Sequence, residues 1–520
     1  MAKQTLKQKI ESFPKVDINF EQKIHVFNKL KDKTKVNIRY CLISPFAYIH
    51  IYWDPKIYEL VYDIEEPKLS DEQEAYREKI ITAMRDMIDF ETVINKDQNT
   101  LLDYIDKRFR ILAIELGLDI SYETYRKIYY YLTRDFIGFN ESDSLIRDYF
   151  VEDIECNGVG TPVYVVHRMY RNLKTNLIFN DQDTLSSFVE KLAQRCGKYI
   201  SYSQPILDGS LPDGSRVNAT YTKDITSKGP TYTIRKFTKT PWTPTQLITF
   251  RTLSPEMLAY LWLLIEHRMN ILITGGTASG KTTLLNAIAF FIPPEARVVS
   301  IEDTRELNLP RDNWLPSVVR TATGIEKVGE VDLFTLLKSS FRQTPDYVIV
   351  GEVRGVEAYV LFQGMASGHS SISTMHAESV DTVIKRLETP PINLSPTLLN
   401  VLDCVCIMTH AMVNKQETRK LKEIVEVINV TPQGTALTNT PFIWNPSNDQ
   451  FYFKKDSRIF HKIARRYGLT LEELELELTR RSKIIYRMFQ QKIFKFEEVQ
   501  NLINQYYKKP AEILKRFGVE

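Results

Sequence analysis

The chain has 520 residues, room for about three or four domains, and its 43% hydrophobic and 26% charged side chains are the proportions of a globular protein with real cores to bury. Its 68 lysines and arginines nearly balance 65 acids, leaving +3, so composition gives no case for a protein that coats nucleic acid. No apolar run reaches the ~18–20 residues that span a bilayer, and the opening MAKQTLKQKIESF lacks the apolar core of a secretory signal, so a cytoplasmic location is expected.

The first ~35 residues are rich in lysine and polar side chains. CLISP and YIHIYWDPKIYELVY then alternate apolar and polar residues around Asp54-Pro55-Lys56, which predicts strands joined by a tight turn. A helix follows from Ser70, where Ser70-x-x-Gln73 has the capping pattern and Tyr76, Ile80, Met84, Met87 and Ile88 line one face. Residues 1–130 form a first α/β region on this reading, and 131–237 a second α/β domain. In the second, VGTPVYVVHR and TNLIF pattern as a hairpin, TLSSFVEKLAQRCG as a helix ending at Gly197, and SRVNATY and TYTIRKF as two alternating segments carrying Arg216 and Arg235. Residues 238–252, TKTPWTPTQLITFRT, suit an extended linker because Pro241 and Pro244 interrupt a threonine-rich stretch. From 253 to about 410 strands alternate with helices, the signature of a parallel, doubly wound sheet in a core domain running to 455. The remainder, 456–520, is predicted helical: Thr470-x-x-Glu473 opens a run with Leu474, Leu478, Ile485 and Met488 on one face. Five cysteines without a C-x-x-C pair are expected to be reduced and mostly buried.

The stretch ILITGGTASGKTTLL carries the chemistry. Gly275, four residues, then Gly280, Lys281 and Thr282 is the spacing of a phosphate-binding loop, whose amides wrap a polyphosphate at a helix N-terminus. ILIT supplies the strand before it and LLNAIAFF the helix after it, so Gly275, Gly276, Thr277, Ala278, Ser279, Gly280, Lys281, Thr282 and Thr283 are the candidate nucleotide-binding residues. Lys281 is expected to reach the β and γ phosphates of ATP, and the Thr282 hydroxyl to hold Mg²⁺.

Ligands of open parallel sheets bind beyond the carboxyl ends of the strands. Here RVVSI runs into Glu302-Asp303, DYVIV into Gly351-Glu352, and SISTM into His376. Glu352 suits the acidic residue that acts on Mg²⁺ or its water, and Glu302 the carboxylate that positions or deprotonates the attacking water. His376 is a candidate contact of the γ-phosphate, with His369 a weaker one. Charge developing on a transferred phosphoryl group calls for an arginine, for which Arg216 and Arg235 are candidates from the preceding domain and Arg320, Arg342 and Arg354 from the core. Each acid also has a plain reading as a helix cap, and each arginine as a surface ion pair.

Four signatures stand in order: GGTASGKTT, VVSIEDTRELNLP, PDYVIVGEVRG and GHSSISTMH. Together they resemble the secretion ATPase superfamily that drives type II secretion, type IV pilus assembly and retraction, and the archaeal swimming filament. LPDGSRVNATY and YTIRKF are similar to the segments that supply arginines to the nucleotide in this family, and the likeness covers about residues 40–440, with Ser300 where threonine is more usual. The absence of a cysteine-based zinc module resembles the archaeal branch. The resemblance implies an α/β architecture with a RecA-like P-loop core, a homo-hexameric ring and a polytopic membrane platform protein as partner at the cytoplasmic membrane. Pilin-like subunits would be driven into a filament by an ATP-dependent change of angle between domains. It also implies Glu302 as catalytic carboxylate, Glu352 as Mg²⁺ and water partner, His376 near the γ-phosphate, and Arg216 and Arg235 as stabilising arginines. Two rival readings keep the loop: a RecA-like ring that moves DNA, disfavoured by the near-neutral charge so that no nucleic acid is expected, and a scaffold that binds nucleotide only to hold a shape.

Overall fold

The computed structural model describes residues 5–20, 32–85, 98–237, 240–320, 329–413, 416–454 and 456–519. Two compact units divide the chain, Met1–Phe237 and Thr238–Glu520.

In the first unit the alternating segments pair into one sheet. Its strands are β1 (Asn37–Ile43), β2 (Ala47–Asp54), β3 (Glu59–Glu65), β4 (Val151–Cys156), β5 (Pro162–His167), β6 (Arg171–Ile178), β7 (Ile206–Ser210), β8 (Arg216–Thr220) and β9 (Thr231–Arg235). They lie in the order β1-β2-β3-β6-β5-β4-β9-β8-β7, so a single sheet runs through both segments read from the sequence. β3 and β6 pair in parallel and the other neighbours antiparallel. The helix Asp71–Arg85 opens at Ser70, whose Oγ accepts from Gln73 N (3.3 Å) while Gln73 Oε1 accepts from Ser70 N (3.1 Å). Ile80 and Met84 are buried, and Met87 and Ile88 lie outside the described residues. The helix Gln182–Arg195 is followed by Gly197 at φ 66°.

The second unit is built on strands β10 (Ile271–Gly275), β11 (Val298–Glu302), β12 (Trp314–Val318), β13 (Tyr347–Val350), β14 (Ser370–Met375), β15 (Cys404–Val413), β16 (Gln416–Val430), β17 (Ala436–Asn445) and β18 (Gln450–Phe453). Their order is β12-β11-β13-β14-β10-β15-β16-β17-β18. The first six run parallel, and β15 to β18 pair antiparallel. β10, β11, β13 and β14 are buried along their whole lengths, as strands covered on both faces must be. AYLWLLI, the most membrane-like piece, lies in the helix Pro255–Glu266, where every residue from Met257 to Ile265 is buried in this core. Among the described residues no helix is long and apolar enough to cross a membrane.

The stretch read as an extended linker instead holds a helix, Pro244–Thr249. Pro244 sits in the first turn, where its missing N–H costs nothing, and Thr243 and Gln246 form a capping box that turns a breaker into a start signal. The C-terminal stretch forms helices Arg458–Tyr467, Leu471–Gln490, Phe496–Lys508 and Pro510–Phe517, with Thr470 and Glu473 making the expected capping box. Leu474, Leu478, Ile485 and Met488 join the core of the unit. A fully buried carboxylate fastens this appendage to β16: Glu426 accepts hydrogen bonds from Tyr260 Oη (2.5 Å), Ser457 Oγ (2.5 Å), Asn439 Nδ2 (2.7 Å) and Arg458 N (2.8 Å). All five cysteines are free thiols, three of them buried.

Candidate functional site

The register of the parallel strands sets the site. Ile301 lies beside Val350, Val350 beside Ser373 and Thr274 beside Met375, so β11, β13, β14 and β10 end level with one another. At that edge β10 turns sharply. Gly275 has φ 151°, and a Cβ there would lie 2.5 Å from Met408 O and 2.6 Å from Ser279 Oγ, so only glycine fits. Gly280, at φ 96°, caps the helix Lys281–Ala289, and Ala278 takes the left-handed conformation at φ 56°. The loop therefore curls tightly and delivers its chain to a helix N-terminus, the geometry in which free amides point at an anion.

Lys281 is 8% exposed, and its Nζ donates to Gly275 O (3.2 Å) and Gly276 O (2.9 Å) and stands 3.4 Å from His376 Nδ1. Burial draws its pKa below the ordinary lysine value, against the pull of Glu352. On the other side of the imidazole, His376 Nε2 is 2.9 Å from Glu352 Oε1, and Glu352 Oε2 accepts from Arg354 Nη2 (2.5 Å). Burial and the Lys281 charge keep His376 below its ordinary pKa, and a neutral ring suits Lys281, from which its Nδ1 can accept, while Nε2 lies in close contact with Glu352 Oε1 without a hydrogen bond between them. Lys281, His376 and Glu352 thus make one contact chain.

Glu302 ends β11 and is 1% exposed. Its Oε1 accepts from Glu306 N and Leu307 N, both at 2.9 Å, while Oε2 makes no hydrogen bond to the protein. Burial pushes its pKa up to about 7, although the two N–H bonds favour the ionised form. The backbone of Gly351 passes close by: a Cβ there would come within 3.2 Å of Glu302 Cγ. The structure therefore brings Glu302 next to the segment that carries Glu352.

Other candidates fall elsewhere. His369 precedes β14, at the opposite end of that strand from His376, and packs on the Phe341 ring with centroids 4.9 Å apart. Arg320 donates through Nε to Gly329 O (2.6 Å), and Arg342 is exposed in a short 3₁₀ turn. Of Arg320, Arg342 and Arg354, it is Arg354 that pairs with a site carboxylate, Glu352. Arg216 and Arg235 belong to the first unit, where they face each other in register on β8 and β9. Arg216 pairs with Asp208 (3.0 Å) and Arg235 with Asp153 (3.6 Å).

Sequence reading passed over two residues that shape this edge. Glu357, 7% exposed, accepts from the backbone N–H groups of Arg354 (2.6 Å) and Gly355 (2.7 Å) and so fixes the turn after Glu352. Asn286 is the one polar residue in LLNAIAFF, and it ties the helix after the phosphate loop to the loop after Glu302. A lone amide in an otherwise apolar buried helix was the only signal for it. Ser300, the departure from the expected threonine, accepts from Trp314 Nε1 (2.8 Å) on the neighbouring strand.

The family described as "Type II/IV secretion system protein" matches residues 161–437. An uncharacterized protein of Methanocaldococcus jannaschii is 34% identical over 98% of this chain and 96% of its own length. The type IV secretion system protein PtlH of Bordetella pertussis is 34% identical over 39% of this chain and 67% of PtlH. Among solved structures, the VirB11 ATPase of the Brucella suis type IV secretion system is similar at 25% identity, covering 53% of this chain and 89% of that one with a TM-score of 0.28. With a family match over more than half its length and a relative matched nearly end to end, the chain belongs to the type II/IV secretion ATPase superfamily.

Proposed function

We propose that the chain is a Mg-ATP-hydrolysing motor that works as a homo-hexamer and powers assembly of a type IV pilus-like or archaellum-like filament beneath a polytopic platform protein of the cytoplasmic membrane. Residues 253–455 are its RecA-like P-loop core, 131–237 the domain that lends arginines, and 456–520 a helical appendage. The observation that carries this reading is the contact chain from Lys281 through His376 to Glu352, formed beside Glu302 at one edge of a parallel sheet.

The residues present suit a nucleoside triphosphate with Mg²⁺. The curled backbone of residues 275–283 offers amides to the phosphates, and the Lys281 ammonium, now spent on two loop carbonyls, can exchange them for phosphate oxygens. Thr282 and Glu352 would hold Mg²⁺, the latter through water, because this ion keeps most of its own hydration. Bound there, Mg²⁺ would neutralise charge on the β and γ phosphate oxygens.

The chain's own groups divide the remaining work. Glu302, with a pKa near 7 and an oxygen free of protein partners, is matched to accept the proton of an attacking water near neutral pH. His376, neutral and held between Lys281 and Glu352, can donate or release a hydrogen bond as the γ-phosphate leaves. Arg216 and Arg235 are 48% and 68% exposed at their side chains, with carboxylate partners that a stronger anion would displace, and they supply positive charge to the departing phosphoryl group. Lys281→Ala and Glu352→Ala should each abolish Mg-dependent ATP turnover while the circular dichroism spectrum and hexamer elution stay those of the parent chain. Undiminished hydrolysis by both variants would refute the proposal.

A further inference from the structure

The helix Lys281–Ala289 carries more than the phosphate loop. One turn past Thr282, Asn286 is 4% exposed, and each polar atom of its side chain is used across an element boundary or back along the helix. Its Nδ2 donates to Thr282 O (3.2 Å) and to Glu306 O (3.1 Å), and its Oδ1 accepts from Asn308 N (3.1 Å). The loop it grips is the one whose Glu306 and Leu307 amides hold Glu302 Oε1 at 2.9 Å. A continuous set of hydrogen bonds therefore runs from Thr282, through one amide, to the carboxylate at the end of β11. Only an amide satisfies it. Two of the three partners are carbonyl oxygens and one is an N–H, so aspartate would set a carboxylate oxygen against two acceptors, and leucine would strand the Glu306 carbonyl and the Asn308 N–H, the Thr282 carbonyl keeping its partner within the helix.

We infer that Asn286 is a positioning residue for hydrolysis, which fixes the Glu302 carboxylate relative to the phosphate-binding turn without touching nucleotide itself. This rests on the ATPase reading given above. The sheet holds the Glu302 backbone, which pairs with Val318 of β12, but the side-chain carboxylate is oriented by loop amides. Loosening that loop lets the carboxylate drift, and a displacement of about 1 Å at a reacting group can cost on the order of 100-fold in rate.

The test is a cycle of N286A and E302Q in the full chain, read as kcat and KM for Mg-ATP and as affinity for a non-hydrolysable ATP analogue. N286A should lower kcat by about 10- to 100-fold with KM and analogue affinity within about 2-fold of the parent, and the same change made in E302Q should lower kcat no further. N286S is the second variant, because its hydroxyl keeps the bond to Thr282 O and the helix while losing both ties to the loop, and it should match N286A in kcat. Equal losses in both backgrounds, or a loss confined to KM and affinity, would overturn the inference, as would parental kcat in a folded N286A or N286S. Failure of the underlying reading looks different: the parent chain would not hydrolyse ATP, or E302Q would hydrolyse it at the parental rate.

Discussion

Replacing Glu302 by glutamine should change the pH dependence of stability in a direction that most carboxylates would not. The native carboxyl is 1% exposed and its pKa stands at about 7, against 4.5 for an ordinary glutamate. Below pH 4.5 both folded and unfolded chains carry it neutral, and it costs the fold nothing. As pH rises toward 7 the unfolded chain ionises first, so the folded state loses ground, and above both values the loss reaches about 3 kcal/mol. Between pH 5 and pH 8 the parent chain should therefore lose about 2–3 kcal/mol relative to E302Q, whose amide keeps an oxygen for the Glu306 and Leu307 amides and does not ionise. Urea unfolding followed by tryptophan fluorescence measures this, because Trp242, Trp262, Trp314 and Trp444 lie in the second unit and only Trp53 in the first. A gap between the two chains that stays constant with pH, or that moves in favour of the parent as pH rises, would refute the argument that burial holds this carboxyl protonated.

Gly275→Ala should weaken nucleotide binding by at least about 10-fold and destabilise the second unit by about 1–3 kcal/mol, because the new methyl meets Met408 O at 2.5 Å; titration calorimetry and urea unfolding report the two effects. Glu426→Ala should cost about 3–5 kcal/mol and expose the C-terminal helices to hydrogen exchange, since it takes the carboxylate acceptor from the buried Tyr260 and Ser457 hydroxyls. Unchanged protection of residues 458–517 would contradict that role for the carboxylate. Ser300→Ala should lower stability by about 1–2 kcal/mol through the stranded Trp314 indole N–H, whereas Ser300→Thr keeps the hydroxyl and should cost less in the same unfolding assay.

The sequence made the parallel half of the second unit legible because strands buried on both faces read as short apolar runs, and each ran into a polar residue just where the sheet ends. ILIT, RVVSI, DYVIV and SISTM are β10, β11, β13 and β14, or nearly so, and the residues beyond them share one edge. Capping chemistry was equally readable at Ser70 and Thr470, where side chain and backbone three residues apart satisfy each other. Proline misled at 238–252: read as a breaker, Pro244 is the first residue of a helix, and the deciding signal was Gln246 three residues beyond Thr243. The antiparallel strands β16 to β18 form a meander of sequence neighbours that the reading of the chain did not pick out, whereas the long sheet of the first unit is closed by β3 with β6 and β4 with β9, pairings between distant segments that local periodicity does not encode. The same holds inside the site. That His376 bridges Lys281 to Glu352, that Glu302 is held by amides of Glu306 and Leu307, and that Asn286 anchors their loop are relations across strand order rather than along the chain.

On the proposed function one nucleotide binds at this edge, held by Lys281 and attacked with the help of Glu302. Titration calorimetry of the parent chain, K281A and E302Q with a Mg-bound non-hydrolysable ATP analogue tests it most directly. One site per chain is expected, with affinity reduced at least about 10-fold in K281A, where a charge-assisted bond to phosphate is lost, and parental affinity in E302Q. No binding by the parent chain, or equal affinity in all three, would contradict it.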